Sequence, residues 1–362
     1  MEQRRLPGLN REVSALGAGC WTIGGLAINR GVPIGWAGVD ADAAFAGLVR
    51  AHDLGVTLYD TADVYGLGRS ERLVGRLLGE VNRSRLTISS KVGYFAGTAA
   101  HPYQAAQIRR QFETTLDNLG TDYLDIYFLH VSDFGPGDRY LEEAVETVQQ
   151  LKRRGLIRAI GMRAPHEFAR EWATDLGHPR AAEAARFLTL LARVQPDVLT
   201  ARYNLLSPIY APDETDIFDL ARDRGIGMLV KQVLGKGLLI GTHDPLAAPS
   251  FPSGDHRGQD HRFTAPALQA IQSGLSVLRQ RFGPTRADLT RVALRYALQR
   301  DPAVAVLVGF RTSQQITSNL TCLGEPLSSD DIGAIGLTMS SVRDMLTASR
   351  PANPNSQQEH SA

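Results

Sequence analysis

The chain has 362 residues, 43% hydrophobic and 21% charged, with a formal net charge of +1. Near-neutrality provides no global field for nucleic acid or an anionic membrane surface, and no apolar run is long enough to span a bilayer. The two cysteines, Cys20 and Cys322, lie far apart, and the polar, charged start over 1–10 lacks a signal-peptide core, so a reducing, cytoplasmic setting is expected.

In chain order, residues 4–14 read as a short hairpin around Gly8-Leu9-Asn10, placed to plug the bottom of a barrel. A strand is expected over 14–20, then a Gly/Pro/Trp-rich loop over 23–40, then a helix over 41–54 preceded by Asp40. Strand and helix patterns then alternate: 56–60 with 69–80, 85–91 with 104–120, 124–130 with 139–154, 157–162 with 165–192, and 197–203 with 214–225. Ser70 with Glu71 opens the second helix, and Gly120, Gly155 and Gly225 stand just past helix ends, where a left-handed stop favours glycine. The seventh strand, 226–231, is parted from its helices over 265–300 by a stretch rich in Gly, Pro, His, Asp and Arg. This stretch, 235–264, has the length of a lid. The eighth strand covers 304–309, with a helix over 311–320.

Strands that alternate with helices run parallel, because each crossover needs a helix. Eight such units predict an α/β fold of the closed (β/α)8 TIM barrel type, as one domain over 1–349 followed by a disordered Pro/Asn/Gln/Ser-rich tail over 350–362. An open Rossmann sheet is the weaker reading, since Gly17-Ala-Gly19-Cys-Trp-Thr does not continue as Gly-x-Gly-x-x-Gly.

Three of the predicted strands stop at ionisable residues: Asp60, Lys91 and His130. Tyr65 follows Asp60 by one short loop. In a parallel barrel the strand C-termini converge on one face, which is where active sites lie. A lysine ammonium near a phenol favours the phenolate, an acid holds that lysine in place, and a histidine hydrogen-bonds a substrate oxygen. The expectation is a tyrosine with a lowered pKa that donates a proton to an oxygen gaining negative charge.

The segment Asp60-Thr-Ala-Asp-Val-Tyr65-Gly66, with Gly68-Arg-Ser-Glu71 and Gly75 after it, resembles the signature of the aldo-keto reductase superfamily. Lys91 in Ser89-Ser-Lys-Val-Gly and His130 in Tyr127-Phe-Leu-His match that family's lysine and histidine. The stretch from Leu119 to Asp125 fits as well. The nearest likeness is to the bacterial aryl-alcohol-dehydrogenase-like and pyridoxal-reductase-like members. The resemblance implies a barrel that binds NADPH and moves hydride between nicotinamide and a carbonyl carbon, with Tyr65, Lys91, Asp60 and His130 as the catalytic set.

On the cofactor side, Gly309 leads to Arg311 at a helix start, where a fork-shaped cation suits a phosphate dianion. The resemblance carries the 2′-phosphate and adenine of NADPH to Arg311, Gln315 and Asn319. It carries the pyrophosphate to the loop Leu234-Gly235-Lys-Gly237, where glycines admit close backbone approach. The positions that hold nicotinamide in the family depart from its pattern. Arg163 and Ala164 replace Ser-Asn, Thr200 replaces Gln three residues before Tyr203-Asn204, and Lys231 stands where an aromatic stacks, and the resemblance still carries the cofactor to Arg163, Thr200, Tyr203 and Lys231. These two cations either serve the nicotinamide or mark a pocket for an anionic substrate.

Trp21, Tyr94, Phe95 and Phe134 follow strand ends and are expected to wall the substrate pocket, with Trp36 in reach of the mouth. The His and Asp residues of 235–264 match no metal-ligand spacing, so no metal is assigned. The reading is an NADPH-dependent oxidoreductase acting on a small carbonyl or alcohol, with no nucleic-acid or membrane partner. Substrate identity, direction and oligomeric state stay open. Two other readings of the same residues are a redox-neutral lyase or isomerase that reuses the tetrad, and a cofactor-binding regulatory subunit.

Overall fold

The computed structural model describes residues 1–348, so the expected tail over 350–362 lies outside the described residues. The chain opens with a hairpin, β1 (Gln3–Leu6) and β2 (Arg11–Ser14), joined by a single 3-10 turn. The first barrel strand is β3 (Leu16–Gly19), and the following loop carries a small hairpin of β4 (Ile28–Asn29) and β5 (Val32–Pro33). Seven strands complete the barrel: β6 (Leu58–Asp60), β7 (Thr87–Val92), β8 (Leu124–Leu129), β9 (Ile157–Arg163), β10 (Val198–Arg202), β11 (Gly227–Lys231) and β12 (Val304–Gly309). The helices are α1 (Ala41–Asp53), α2 (Arg69–Leu78), α3 (Ala105–Leu119), α4 (Leu141–Arg153), α5 (Ala181–Val194), α6 (Ile217–Asp223), α7 (Ala265–Phe282), α8 (Arg286–Leu298), α9 (Ser313–Thr321) and α10 (Ser329–Ala348). Strands β3 and β6 to β12 form one closed, parallel barrel, sealed by the β12–β3 pairing.

Alternation along each strand sorts side chains between two cores. Leu58, Ile126, Phe128, Val198, Leu229 and Ala305 point inward, and Leu6 and Val13 of the hairpin plug the bottom against them. The intervening residues, such as Tyr59, Tyr127, Ile160 and Val230, point out to the helices and belong to the larger core. The hairpin fits tightly because residue 8 is glycine. A Cβ there would stand 1.7 Å from the Asp197 carbonyl oxygen.

Three departures from the sequence expectation have local causes. The helix expected over 165–192 starts only at Ala181, because Pro165, Gly177 and Pro179 interrupt it; a 3-10 turn over Arg170–Ala173 takes its place. Helix α10 lies beyond the eighth barrel unit, where no further helix was expected. Its buried Ile335, Met339, Val342 and Leu346 have helical spacing, and it packs on α7. Ser70 does not cap α2. Gly68 does, and the Ser70 hydroxyl instead bonds the Cys20 carbonyl at 2.8 Å and receives Thr61 Oγ1 at 2.8 Å.

Candidate active site

Period-2 alternation sends the last inward residue of several strands to one mouth: Asp60 from β6, Lys91 from β7, Arg163 from β9, Arg202 from β10 and Lys231 from β11. His130 follows β8 and is tied to β7 by its N–H to the Val92 carbonyl at 2.9 Å. Tyr65 stands on the loop after β6, and its ring is placed by a backbone fit. Gly66 has φ 61°, and a Cβ there would lie 1.9 Å from the Gly24 carbonyl oxygen.

Lys91 is buried and donates to Asp60 Oδ2 at 2.7 Å and to the Thr61 carbonyl at 2.6 Å, while Ser89 Oγ donates to Asp60 Oδ1 at 2.6 Å. The ammonium lies 4.8 Å from the centre of the Tyr65 ring. His130 meets Tyr65 edge-on at 6.0 Å between ring centres and Tyr94 at 4.9 Å, and Trp21 lies inclined by 29° to Tyr65 at 6.1 Å. The structure thus gathers all four expected catalytic residues.

The electrostatics differ from the sequence expectation. Burial first, and the Asp60 carboxylate second, push the Tyr65 phenol well above its ordinary range, and Arg163 is the cation that pulls the other way. Lys91 is committed to Asp60 and a carbonyl, so the phenol is held protonated rather than acidified. Burial, with Lys91, Lys231 and Arg163 around it, pushes His130 well below the usual histidine range, so its imidazole is neutral. Its Nδ1 is buried and has no hydrogen-bond partner among the described residues.

The motif residues beyond Tyr65 are structural. Glu71 is buried, accepts from Ser90 Oγ at 2.7 Å and Asn118 Nδ2 at 2.8 Å, and so ties α2 to β7 and α3. Burial raises its pKa.

From Tyr65 and Asp60 a cleft of about 730 Å³ runs outward past the ends of β11 and β12 to the N-termini of α8 and α9. Leu234, Gly237, Gly309, Arg311, Gln315 and Asn319 line it, as expected of a cofactor groove. Arg311 donates to the Ala37 carbonyl at 3.1 Å, and Gln315 Oε1 accepts from the Arg311 N–H at 2.8 Å. Buried Asn319 donates to the Gly309 carbonyl at 3.3 Å. Gly235 is not on the cleft wall and packs on Leu239. Lys231 lines the cleft, buried Thr200 pairs in register with Arg163, and the Arg163 guanidinium meets His166 Nε2 at 3.2 Å and also bonds Tyr94.

Besides Gly235, two expected site residues lie away from the cleft. Tyr203 follows inward Arg202, so it turns outward, where it stacks on Tyr296 at 5.4 Å and meets Phe218 at 4.9 Å. Phe134 is buried against Tyr103 at 4.5 Å, because the Tyr103 hydroxyl ties to the Val131 carbonyl and draws the loop inward. Trp21 and Tyr94 do wall a small cavity of about 30 Å³ beside Tyr65 and His130, and Phe95 packs behind them.

The 235–264 stretch closes one side of the cleft. Asp255 accepts the Ala37 N–H at 2.7 Å, the His256 N–H reaches the Gly35 carbonyl at 2.9 Å, and Arg257 grips Asp255 with two contacts of 3.0 and 2.8 Å. Lys236, nearly buried, donates to Asp260 at 3.0 Å and contacts His256, which lies 4.8 Å from the Trp21 ring. Lys236, Arg257 and Arg286 on the cleft wall escaped the sequence reading. For Lys236 a signal existed, in the glycines that flank it.

Residues 15–336 match the aldo/keto reductase family, and the chain belongs to it. It is an NAD(P)H-dependent aldo-keto reductase, an oxidoreductase of carbonyl and alcohol groups. Curated relatives include "NADH-specific methylglyoxal reductase" of Escherichia coli, 26% identical with 88% of this chain and 92% of the relative covered. "Aldo-keto reductase YhdN" of Bacillus subtilis is 28% identical over 91% of each. Among solved structures, the glycerol dehydrogenase AKR11B4 from Gluconobacter oxydans superposes with a TM-score of 0.71 at 24% identity, covering 97% of this chain and 98% of that one. An aldo/keto reductase from Klebsiella pneumoniae, solved with NADP and acetate, gives 0.62 at 22% identity over 93% and 95%. Among the described residues no helix is long and apolar enough to cross a membrane.

Proposed function

We propose that this chain reduces an aldehyde or ketone with NADPH, reversibly, with Tyr65 delivering the proton to the carbonyl oxygen. The observation that carries the reading is the meeting of Tyr65, Tyr94 and His130 around one cavity at the inner end of the long cleft, backed by the Lys91–Asp60 pair.

The cleft fits the cofactor on its own terms. Its far end is lined by Arg311 and Arg286 at the N-termini of α9 and α8, which suit phosphate groups. Leu234, Lys236 and Gly237 stand midway, with Gln315 and Asn319 beside Arg311. Bound there, the reduced nicotinamide supplies the hydride. Relatives differ in coenzyme, one being named NADH-specific and one solved neighbour holding NADP. The arginines at the far end favour the extra phosphate of NADPH.

At the inner end, Tyr65 is a neutral phenol at physiological pH, as a donor must be. His130, also neutral, orients the carbonyl through a ring N–H. As the oxygen gains charge and takes the proton, Arg163 is the cation that stabilises the phenolate left behind. Tyr65→Phe should lower kcat for aldehyde reduction by about 10²- to 10⁴-fold, the usual worth of a positioned proton donor. NADPH affinity, read by fluorescence titration, should stay essentially unchanged. Parallel loss of turnover and cofactor binding would remove Tyr65 from this role.

A further inference from the structure

The barrel mouth holds more positive charge than the proposed reduction uses. Among the residues that line the cleft and the inner cavity, Asp60 is the one carboxylate, and it is committed to Lys91 and Ser89. Arg163 is held by His166 and Tyr94. Arg202 and Lys231 are cross-strand partners at the ends of β10 and β11, and neither side chain makes a hydrogen bond or ion pair among the described residues.

The acids nearest Arg202 serve other cations: Glu167 pairs with Arg180 at 2.8 Å, and Asp260 with Arg262 and Lys236 at 2.6 and 3.0 Å. Burial and the neighbouring cations push Lys231 well below the usual lysine range and Arg202 down to about 10. Two adjacent cations, part-withdrawn from water and with no carboxylate paired to either, repel each other, and a bound anion relieves that repulsion.

Lys231 lines the same small cavity as Tyr65, Tyr94 and His130, where a carbonyl oxygen must sit for proton transfer. The phosphate-suited arginines of the cleft lie at its opposite end, and a nicotinamide ring carries no anionic group to satisfy the mouth. We infer that the substrate is a small carbonyl acid, its carboxylate seated on Lys231, whose cross-strand neighbour Arg202 adds positive charge behind it, and its carbonyl oxygen turned to Tyr65 and His130. Trp21, Ile34 and Val64 provide walls for a short apolar linker. The inference rests on the reductase reading above and narrows its substrate.

The test compares kcat/KM with NADPH for succinic semialdehyde and for butyraldehyde, which lacks the carboxylate. The acid should be preferred by roughly 10- to 100-fold, the worth of a charge-assisted hydrogen bond, mostly through KM. Lys231→Met should collapse that ratio, Lys231→Arg should restore much of it, and added salt should shrink it. Succinate, which has no carbonyl to reduce, should also perturb the fluorescence of the NADPH complex, whereas its uncharged diamide should not.

Equal use of the two aldehydes, a ratio unmoved by Lys231→Met, or failure of succinate to bind would each overturn the inference. A larger preference for glyceraldehyde 3-phosphate over glyceraldehyde would overturn the carboxylate and assign the site to phosphate esters. Failure of the reductase reading shows differently, as neither NADPH binding nor NADPH oxidation with any aldehyde.

Discussion

Asp60→Asn separates the charge of the acid from its shape. The amide keeps an oxygen for Lys91 or Ser89, which stand 2.7 and 2.6 Å from the carboxylate. The buried ammonium, however, loses its counter-charge and keeps only neutral acceptors, among them the Thr61 carbonyl at 2.6 Å. At 2.7 Å and an effective dielectric of 20 the lost Coulomb attraction is roughly 6 kcal/mol before desolvation is offset. Breaking one side of a buried pair costs about 3–5 kcal/mol in practice. With an unfolding entropy near 2.1 cal/mol/K per residue, that becomes a Tm loss of roughly 4–7 °C for a chain of this size. A second readout follows from the phenol. Asp60 is the leading charge that raises the Tyr65 pKa, so its neutralisation should move the alkaline limb of kcat/KM for reduction to lower pH. Melting by circular dichroism and NADPH oxidation at 340 nm across pH give the two numbers. An unchanged Tm together with an unmoved alkaline limb would refute the coupling of Asp60 to both Lys91 and Tyr65.

Arg311→Ala should weaken NADPH binding by roughly 10-fold or more while NADH changes little, since a charge-assisted contact to the extra phosphate is worth about 1.5–3 kcal/mol. Equal weakening of both coenzymes in a fluorescence titration would remove Arg311 from the phosphate site. The protein should also lose stability in acid. Burial and Lys236 depress His256 to about 3 in the fold, against about 6.5 when unfolded, so between those values the unfolded chain binds the extra proton. Stability therefore rises with pH across that window and is lost as pH falls through it, by a few kcal/mol at most. His130 acts in the same direction. His256→Asn should flatten the acid side of a Tm–pH curve, and an unaltered slope would exclude His256 as a contributor.

The tetrad was legible because three of its members end β-patterned runs and a barrel brings strand ends together. The eight strands were legible for the same reason: each is short, apolar and bounded. What stayed hidden depends on parity or on distant partners. Tyr203 was assigned by alignment to a motif, yet one residue along a strand reverses the facing, and inward Arg202 sends it to the helices. Phe134 turns away because of Tyr103, thirty-one residues earlier in the chain. The direction of the Tyr65 shift was also out of reach, since it depends on burial and on where the ammonium spends its donors. The paired cations of β10 and β11 were visible in principle: Arg202 lies two residues after inward Thr200, and Lys231 two after inward Leu229.

Two contacts join the loop after β3 to the stretch after β11, the elements that follow the two strands flanking β12. An elongated molecule lodged in the cleft beside them therefore has one wall pinned by long-range hydrogen bonds. Loosening that wall means parting Asp255 from Ala37 and His256 from Gly35, two hydrogen bonds remote from the reacting atoms, so disorder introduced there would be felt first in how long a molecule stays.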